Sequence, residues 1–352
     1  MTTTIHEVAK KAKVSKSAVS DILNRSNKHN YTAETVRRVE KAAEKLGYEV
    51  NQFAKSLKTG KTNIIGITTR GRELGQFNFL YTTKVYQGIS DFFVQYDYKL
   101  IFHNFHDLTR SRQPLDLVKS KLVDGLIFVR FSIDIQQFKK EEFPILQKIN
   151  KPFVVIHSLK EDLGMTSVGL DCVYGGFMAT EHLIQHGYPT IGCVTQPGLH
   201  CDDLLRGYRQ ALEQYHLPLR EEFIYALAGQ TSDEASELAE RLLQDKSKLP
   251  RALFVVDEYW AYPMIKKFWA AGVRIPQDLA IISFGDVNTE AVALTDMTIV
   301  RQPAVEKGYK AGEILRQLLL HPQSAPGSVI LKPSLLVNKS CGCVKSSSHG
   351  YF

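Results

Sequence analysis

The stretch TIHEVAKKAKVSKSAVSDILN, residues 4 to 24, holds two short helical patterns separated by a two-residue break. Thr4 followed by Glu7 has the spacing of a capping box, in which the threonine oxygen serves the Glu7 amide and the carboxylate reaches back. Ile5, Val8, Ala9 and Ala12 then share one face at helical spacing. Lys13-Val14 interrupts the pattern, and Ser15 has the short polar side chain that caps a new helix. In this second helix Ala18, Val19, Ile22 and Leu23 turn inward. Ser17, Ser20, Asp21 and Asn24 fall at i, i+3, i+4 and i+7 on the opposite face, with Lys16 on the exposed first turn. These outward residues are short or hydrogen-bonding, unlike the long Glu/Lys mixture of a merely solvated face. Their spacing is that of a helix built to lie on DNA.

Thr32 caps a third pattern, AETVRRVEKAAEKL, which Gly47 closes. Val36, Val39, Ala43 and Leu46 are placed to pack on the first two helices. Three short helices with a tight break between the first two form an all-α helix-turn-helix unit. Asn51 then opens a short stretch holding Phe53, Ala54 and Leu57, with Lys55 and Lys58 alongside. A helix of that length is unstable alone in water, so it needs support from its twin in a homodimer and from DNA. Charge agrees with this. Residues 1–63 carry ten Lys and three Arg against one Asp and five Glu, which accounts for the whole net charge of +7; the rest of the 352-residue chain is neutral. A small basic unit on a neutral body is the footprint of a nucleic-acid arm.

Composition excludes several classes. Hydrophobic content of 44% and charged content of 23% are those of a soluble globular chain. No apolar run approaches the roughly 18 residues of a membrane span, and MTTTIHEVAKKAKV lacks the apolar core of a signal peptide. Five scattered cysteines (Cys172, Cys193, Cys201, Cys341 and Cys343) suit reduced thiols better than a disulfide framework. A cytoplasmic protein with no membrane partner is the expectation.

TIHEVAKKAKVSKSAVSDILN and TAETVRRVEKAAEKLGYEVNQFAKSLKTGKTNIIGI resemble, without gaps, the N-terminal region of the LacI/GalR family of transcriptional repressors. The resemblance implies that Lys16, Ser17, Ser20 and Asp21 touch bases in the major groove of a near-palindromic operator. It also implies a hinge helix that enters the minor groove as a pair, with Leu57 wedged between base steps, a distortion of a few kcal/mol offset by contacts to the kinked duplex. Thr4, Ser15, Asn24, Arg25, Thr32, Asn51, Phe53, Ala54 and Lys58 complete the expected DNA-facing set. Three positions depart from the family pattern. Lys13 stands where the turn usually has Gly, so a left-handed backbone there costs about 1 kcal/mol. Val50 replaces a usual proline before Asn51. Asp21 replaces a usual arginine, which points away from the family's common operator. Asp21 has two readings: an ion pair with Arg25 at i+4, or acceptance of a hydrogen bond from a cytosine N4 amino group.

Beyond residue 61 the chain alternates apolar runs with amphipathic stretches. NIIGIT, YKLIFHN, DGLIFVR, KPFVVIH, TIGCVT, ALFVVD and LAIISFGD read as buried parallel strands. Segments near 80–96, 110–122, 174–186, 203–215, 232–245, 259–271 and 303–320 read as helices. This alternation predicts an α/β body of doubly wound parallel sheets, in two lobes that separate near residues 157–167. GLDCVYGGFMATEHLIQHGYPTIGCVT, LLRGYRQAL, VVDEYWA, GVRIPQDLAIISFGD and IVRQPAVEKGYKAGEILRQLL resemble the same family's sensor core, which is similar to periplasmic sugar-binding proteins. The expected layout is a helix-turn-helix domain at 1–49, a hinge at 50–62, a core at 63–340 and a polar tail at 341–352. Within the core, lobe 1 takes roughly 63–160 and 290–322, and lobe 2 roughly 161–289 and 323–340.

Ligands of open α/β sheets bind beyond the carboxyl ends of strands. Asp257 ends ALFVVD, Asp286 ends IISFGD, and Arg206 matches the family's ligand-contact arginine in LLRGY. A carboxylate facing a guanidinium suits vicinal hydroxyls, one accepting and the other donating. Asp171, Trp260, Phe79 and Arg130 are further candidates by position, although strand-end residues also serve packing. An aromatic beside polar groups stacks on a sugar face or on a nucleobase. A small carbohydrate effector is therefore expected, with a nucleobase as the alternative.

Other chemistry is weakly supported. His182 and His186 have a zinc-ligand spacing, but EHLIQHG lacks the Glu that follows the first His of a zinc hydrolase, and the family has a similar run there. Cys341 and Cys343 supply two thiols with no Cys/His pair nearby in sequence. Neither pair is assigned a metal, and no cofactor is expected. No nucleophile elbow or phosphate loop is present, which argues against an enzyme, and a secreted solute-binding protein would have no use for the basic N-terminus. The tail CGCVKSSSHGYF is polar, is expected to be disordered, and lacks the apolar heptads of a tetramer bundle, so a homodimer is expected.

Overall fold

The computed structural model describes residues 3–24, 28–49, 60–70, 80–105, 122–130, 140, 143–158, 163–198, 200–228, 231–285, 296–324 and 326–343. The chain divides into two compact units, Met1–Thr62 and Asn63–Phe352.

In the first unit, α1 (Ile5–Ala12), α2 (Lys16–Leu23) and α3 (Ala33–Leu46) enclose a core of Val8, Ala9, Ala12, Val19, Ile22, Val36, Val39, Ala42 and Ala43. The ends are set by local hydrogen bonds. Glu7 Oε2 accepts from the Thr4 amide at 2.7 Å and from the Thr4 hydroxyl at 2.9 Å. Ser15 Oγ accepts from the Ala18 amide at 3.1 Å, and Thr32 Oγ1 from the Thr35 amide at 3.3 Å. Gly47 adopts φ +60° and closes α3. Lys13 also adopts a left-handed backbone, φ 54° and ψ 49°, between α1 and α2. The strain expected of a non-glycine residue in this turn is present.

The second unit contains two six-stranded sheets. The first has the order β11-β5-β4-β3-β1-β2, where β1 is Ile64–Arg70, β2 Lys99–Phe105, β3 Gly125–Arg130, β4 Phe153–His157, β5 Ser167–Leu170 and β11 Ser328–Leu331. The second has the order β12-β10-β9-β8-β6-β7, where β6 is Ile191–Thr195, β7 Ile224–Ala226, β8 Ala252–Val255, β9 Ala280–Gly285, β10 Thr298–Arg301 and β12 Ser334–Leu336. All pairings are parallel except β10 with β12. Strands β3, β5, β6, β8 and β9 are buried along their whole length. Their unbroken apolar runs are what helices on both faces require. Around the sheets lie α4 (Leu80–Phe93), the single turn α5 (Phe143–Leu146), α6 (Cys172–Gln185), α7 (His200–Gln214), α8 (Ser232–Leu243), α9 (Glu258–Ala270) and α10 (Ala304–Leu320).

Each lobe is tightened by a helix pair that touches through glycine. A Cβ on Gly88 of α4 would lie 2.0 Å from the Val305 carbonyl oxygen of α10, and one on Gly308 2.0 Å from that of Val85. In the other lobe, Gly176 of α6 and Gly207 of α7 would meet the Leu204 and Val173 carbonyls at the same distance. Only hydrogen fits at these crossings, so backbone packs on backbone.

The lobe boundaries differ from those expected. Strand β5, expected in lobe 2, belongs to the first sheet, and so does β11. Strand β10, expected in lobe 1, belongs to the second sheet. Among the described residues the chain therefore passes between sheets three times, at residues 170–172, 301–304 and 331–334. Four-residue strands such as SVGL, TIVR and SVIL are too short for periodicity to reveal their sheet, because pairing with distant strands decides it. The tail also begins later than expected. Lys339–Cys341 forms a 3-10 turn with Cys341 buried, and residues 344–352 lie outside the described residues.

Candidate nucleic-acid interface and ligand site

The outer face of α2 is built as its spacing predicts. Ala18, Val19 and Ile22 are buried, whereas Lys16 and Ser17 are exposed and Ser20, Asp21 and Asn24 half-buried. Thr4, Ser15 and Thr32 are engaged as caps. Asn24 folds back, donating from Nδ2 to the Ser20 carbonyl at 2.8 Å. Asp21 has a partner that neither reading anticipated: the Tyr31 hydroxyl donates to its Oδ2 at 3.0 Å. Burial first, and this bond second, push the Tyr31 hydroxyl above its usual pKa. Ten residues separate the two in sequence, beyond the reach of any helix-spacing rule. The face thus offers a cation, two hydroxyls and a carboxylate held by a phenol. Arg25, Asn51, Phe53, Ala54, Leu57 and Lys58 lie outside the described residues.

In the core, Arg130, Asp171 and Asp257 stand at or just beyond the carboxyl ends of strands, and Arg206 lies on α7. Arg130 ends β3 and is 3% exposed, opposite His157 of β4 in the register. Asp171 follows β5 at the first passage between sheets. Its Oδ1 accepts from the Tyr174 amide at 2.9 Å, capping α6, and it lines a cavity of about 630 Å³ with Tyr174, Phe177, Gln210 and Lys332. Asp257 caps α9 through the Tyr259 amide at 2.9 Å. Burial pushes its carboxyl up to about 6, against the opposing effect of that amide. Both aspartates are therefore caps as well as candidate ligands, a double use that a second carboxylate oxygen permits. Arg206 Nη2 donates to Asp203 Oδ1 at 2.6 Å within α7, so its guanidinium is oriented by an ion pair. Trp260 is 1% exposed inside the second lobe's core; its place is a packing one rather than a sugar-stacking one. Phe79 and Asp286 lie outside the described residues.

Sequence reading missed Lys307. This lysine near the start of α10 is fully buried. Its Nζ donates to the Tyr81 hydroxyl at 2.9 Å and sits 5.7 Å from the centre of that ring. Burial pushes its ammonium down to about 7, opposed by Cys172. Burial and then the Lys307 charge push His200 down to about 4. Burial pushes the Cys172 thiol up, with Lys307 opposing and Asp203, Cys201 and Asp171 adding to it, and burial followed by Asp257 pushes up that of Cys201. Charges from both lobes thus act on one another around the passages at 170–172 and 301–304. An isolated Lys in an amphipathic stretch reads as a surface cation, so no sequence signal marked it.

The structure also joins two pairs that the sequence reading kept apart. The side chains of His182, His186, Cys341 and Cys343 place their ligand atoms within 4.8 Å of one another. His186 and Cys343 are 157 residues apart in the chain, so their meeting depends on the fold rather than on spacing.

Known proteins resemble the chain in both of its units. Residues 4–51 match the profile of bacterial regulatory proteins of the lacI family, and residues 180–341 that of a periplasmic binding protein-like domain. The HTH-type transcriptional repressor PurR of Aliivibrio fischeri (strain MJ11) is 30% identical over 319 residues, 89% of this chain and 90% of its own length. A lac repressor dimer bound to operator and the anti-inducer ONPF superposes with a TM-score of 0.81 at 19% identity, covering 97% of this chain and 99% of that one. A transcriptional regulator CelR-cellobiose complex superposes with a TM-score of 0.67 at 20% identity, covering 96% and 99%.

Proposed function

The chain belongs to the LacI family of bacterial regulatory proteins and is a ligand-responsive, DNA-binding transcriptional regulator; from that premise we propose how its own residues divide the work. It acts in the cytoplasm as a homodimeric repressor, by binding alone, on a near-palindromic operator. The outer face of α2 reads the operator: Lys16 and Ser17 meet it first, with Ser20 and Asp21 behind them. A small carbohydrate is the effector. The carboxylates of Asp171 and Asp257 accept from its hydroxyls, while Arg206 and the Lys307–Tyr81 pair donate. The cellobiose complex among the structural neighbours supports this chemistry over a nucleobase.

The observation that carries the coupling is the place of Asp171 and Lys307. Each stands beside a passage of the chain between the two sheets. A ligand held there contacts both lobes and interacts differently with each arrangement of them. That differential affinity is the only means by which it can shift the regulator between states. The homodimer is supported by an apolar groove on the first lobe, where Tyr86, Val94, Tyr98 and Phe102 of α4, the following turn and β2 line a cavity of about 520 Å³. Val94 and Phe102 are 72% and 49% exposed, and a second copy of the chain would cover them.

The test is operator binding by the full chain. A duplex selected from random sequence should bind with near-two-fold symmetry. Affinity should fall about a thousandfold or more between roughly 50 and 200 mM salt, as several phosphate contacts require. A disaccharide or monosaccharide should then change operator affinity where nucleobases do not. A flat salt response would sink the DNA assignment, and a response to nucleobases alone would sink the carbohydrate one.

A further inference from the structure

We propose that His182, His186, Cys341 and Cys343 form a tetrahedral zinc site that fastens the C-terminal segment to α6. His182 and His186 lie one helical turn apart, and their Nε2 atoms are 3.1 Å from each other. His182 Nε2 is 3.3 Å from Cys341 Sγ and 3.6 Å from Cys343 Sγ, and His186 Nε2 is 2.9 Å from Cys343 Sγ. With zinc–nitrogen bonds of about 2.0–2.1 Å and zinc–sulfur bonds of about 2.3 Å, a regular tetrahedron has edges of roughly 3.3 to 3.8 Å. An N–N edge is about 3.3–3.4 Å and an N–S edge about 3.5–3.6 Å: the 3.6 Å separation matches, those of 3.1 and 3.3 Å are short by about 0.2 Å and that of 2.9 Å by about 0.6 Å, contractions that a central ion would open.

Hydrogen bonding alone does not account for the cluster. Three other donor atoms converge on His182 Nε2, yet a neutral ring nitrogen offers a single proton or a single lone pair. One cation at the centre satisfies all four atoms together. Two imidazoles and two thiolates are the donor set of closed structural zinc sites, and four protein ligands leave no open position for hydrolysis.

The surroundings hold the ligands in place. Ser340 Oγ accepts from the Thr298 amide at 2.7 Å and donates to the Ile281 carbonyl at 2.6 Å, which seats the 3-10 turn against β9 and β10. The Tyr188 hydroxyl donates to the Cys341 carbonyl at 3.0 Å. The Thr298 hydroxyl lies 3.0 Å from Cys341 Sγ and can donate to it, the kind of outer contact that stabilises a metal-bound thiolate. Between the cysteines, Gly342 adopts φ +96°, and a Cβ there would come within 2.7 Å of the Tyr188 hydroxyl. The glycine turns the chain back so that both sulfurs face the same pair of imidazoles. Cys341 is buried and Cys343 half-buried, so the site closes from the inside outward.

The experiment measures metal on the full chain purified under reducing conditions. Elemental analysis should give about one zinc per chain. Replacement of zinc by Co2+ should produce the intense visible bands of a tetrahedral ion together with a thiolate-to-cobalt charge-transfer band. Cys343→Ser and His186→Gln, at the more accessible corners, should each lose the metal while keeping the wild-type circular dichroism and operator affinity. A wild-type chain that takes up neither zinc nor cobalt would overturn the site. So would folded variants that retain stoichiometric metal, or an octahedral cobalt spectrum without the charge-transfer band.

Discussion

Lys16 and Ser17 of the N-terminal unit stand in solvent, whereas Lys307 of the core is fully buried and the Asp257 carboxyl is pushed up to about 6 by burial. The two kinds of placement suit two kinds of partner. DNA presents a dense line of charge that exposed cations meet through water and salt, so affinity comes from many screened contacts. A small neutral ligand offers few atoms, and each contact must be strong. Polar groups already stripped of water give stronger contacts, at a standing cost to the empty protein. Operator binding should therefore track ionic strength, and effector binding should track protonation.

Lys307→Met breaks the comparison most severely. The folded protein holds the ammonium near pKa 7, below its ordinary 10.5, so folding disfavours the charged form. The sign follows from proton linkage. Between about pH 7 and 10.5 the unfolded chain binds the proton and the folded chain does not, so wild-type stability climbs with pH in that window; below about 7 the cost is fully present. The methionine variant should lack this climb. At pH 7 and below it should be more stable by on the order of a few kcal/mol, while its operator binding no longer responds to the carbohydrate. Thermal unfolding at several pH values, with operator titrations with and without sugar, checks both halves. A variant that is less stable at neutral pH would show that Lys307 is an integral part of the fold rather than a group held ready for a ligand.

The same contrast governs what the sequence makes visible. In the first unit every α-helix start is signalled within three residues, Thr4 with Glu7, Ser15 with Ala18 and Thr32 with Thr35, and Gly47 marks the close of α3. The long core strands are equally plain, because a run such as GLIFVR has one use when both faces of a sheet are covered. Strands β5, β10 and β11 carry no such signal, and their exchange between lobes is visible only through long-range pairing. Lys307 and the histidine–cysteine cluster are hidden for a similar reason. Their chemistry comes from neighbours more than 100 residues away, Tyr81 for the one and the C-terminal turn for the other.

Asp21 sharpens the comparison at the DNA face, where a partly sheltered contact intrudes on an exposed surface. Its bond from Tyr31 holds the carboxylate in one orientation. A carboxylate so fixed and reading a cytosine amino group should give discrimination of roughly tenfold or more at one operator base pair. Asp21→Asn should lose that preference with little change elsewhere in the site. Tyr31→Phe, which frees the carboxylate without removing it, should reduce the preference by a smaller factor. Operator libraries varied at single positions measure both. If Asp21→Asn instead tightens binding uniformly across sequences, the residue is a repelling charge held by Tyr31 and takes no part in readout.

Lys13 tests the smallest effect, because two consequences of one side chain oppose each other there. Its left-handed backbone, φ 54°, costs about 1 kcal/mol that glycine would not incur. Glycine in turn loosens the unfolded chain by about 0.4–1 kcal/mol. Lys13→Gly should therefore change the stability of the first unit by only a few tenths of a kcal/mol, too little to explain a lysine in the turn. The reason should lie in the ammonium. If it meets a phosphate, the variant should bind operator more weakly at low salt, and the slope of log affinity against log salt should fall by about one. An unchanged slope would leave the strained turn without a compensating contact to DNA.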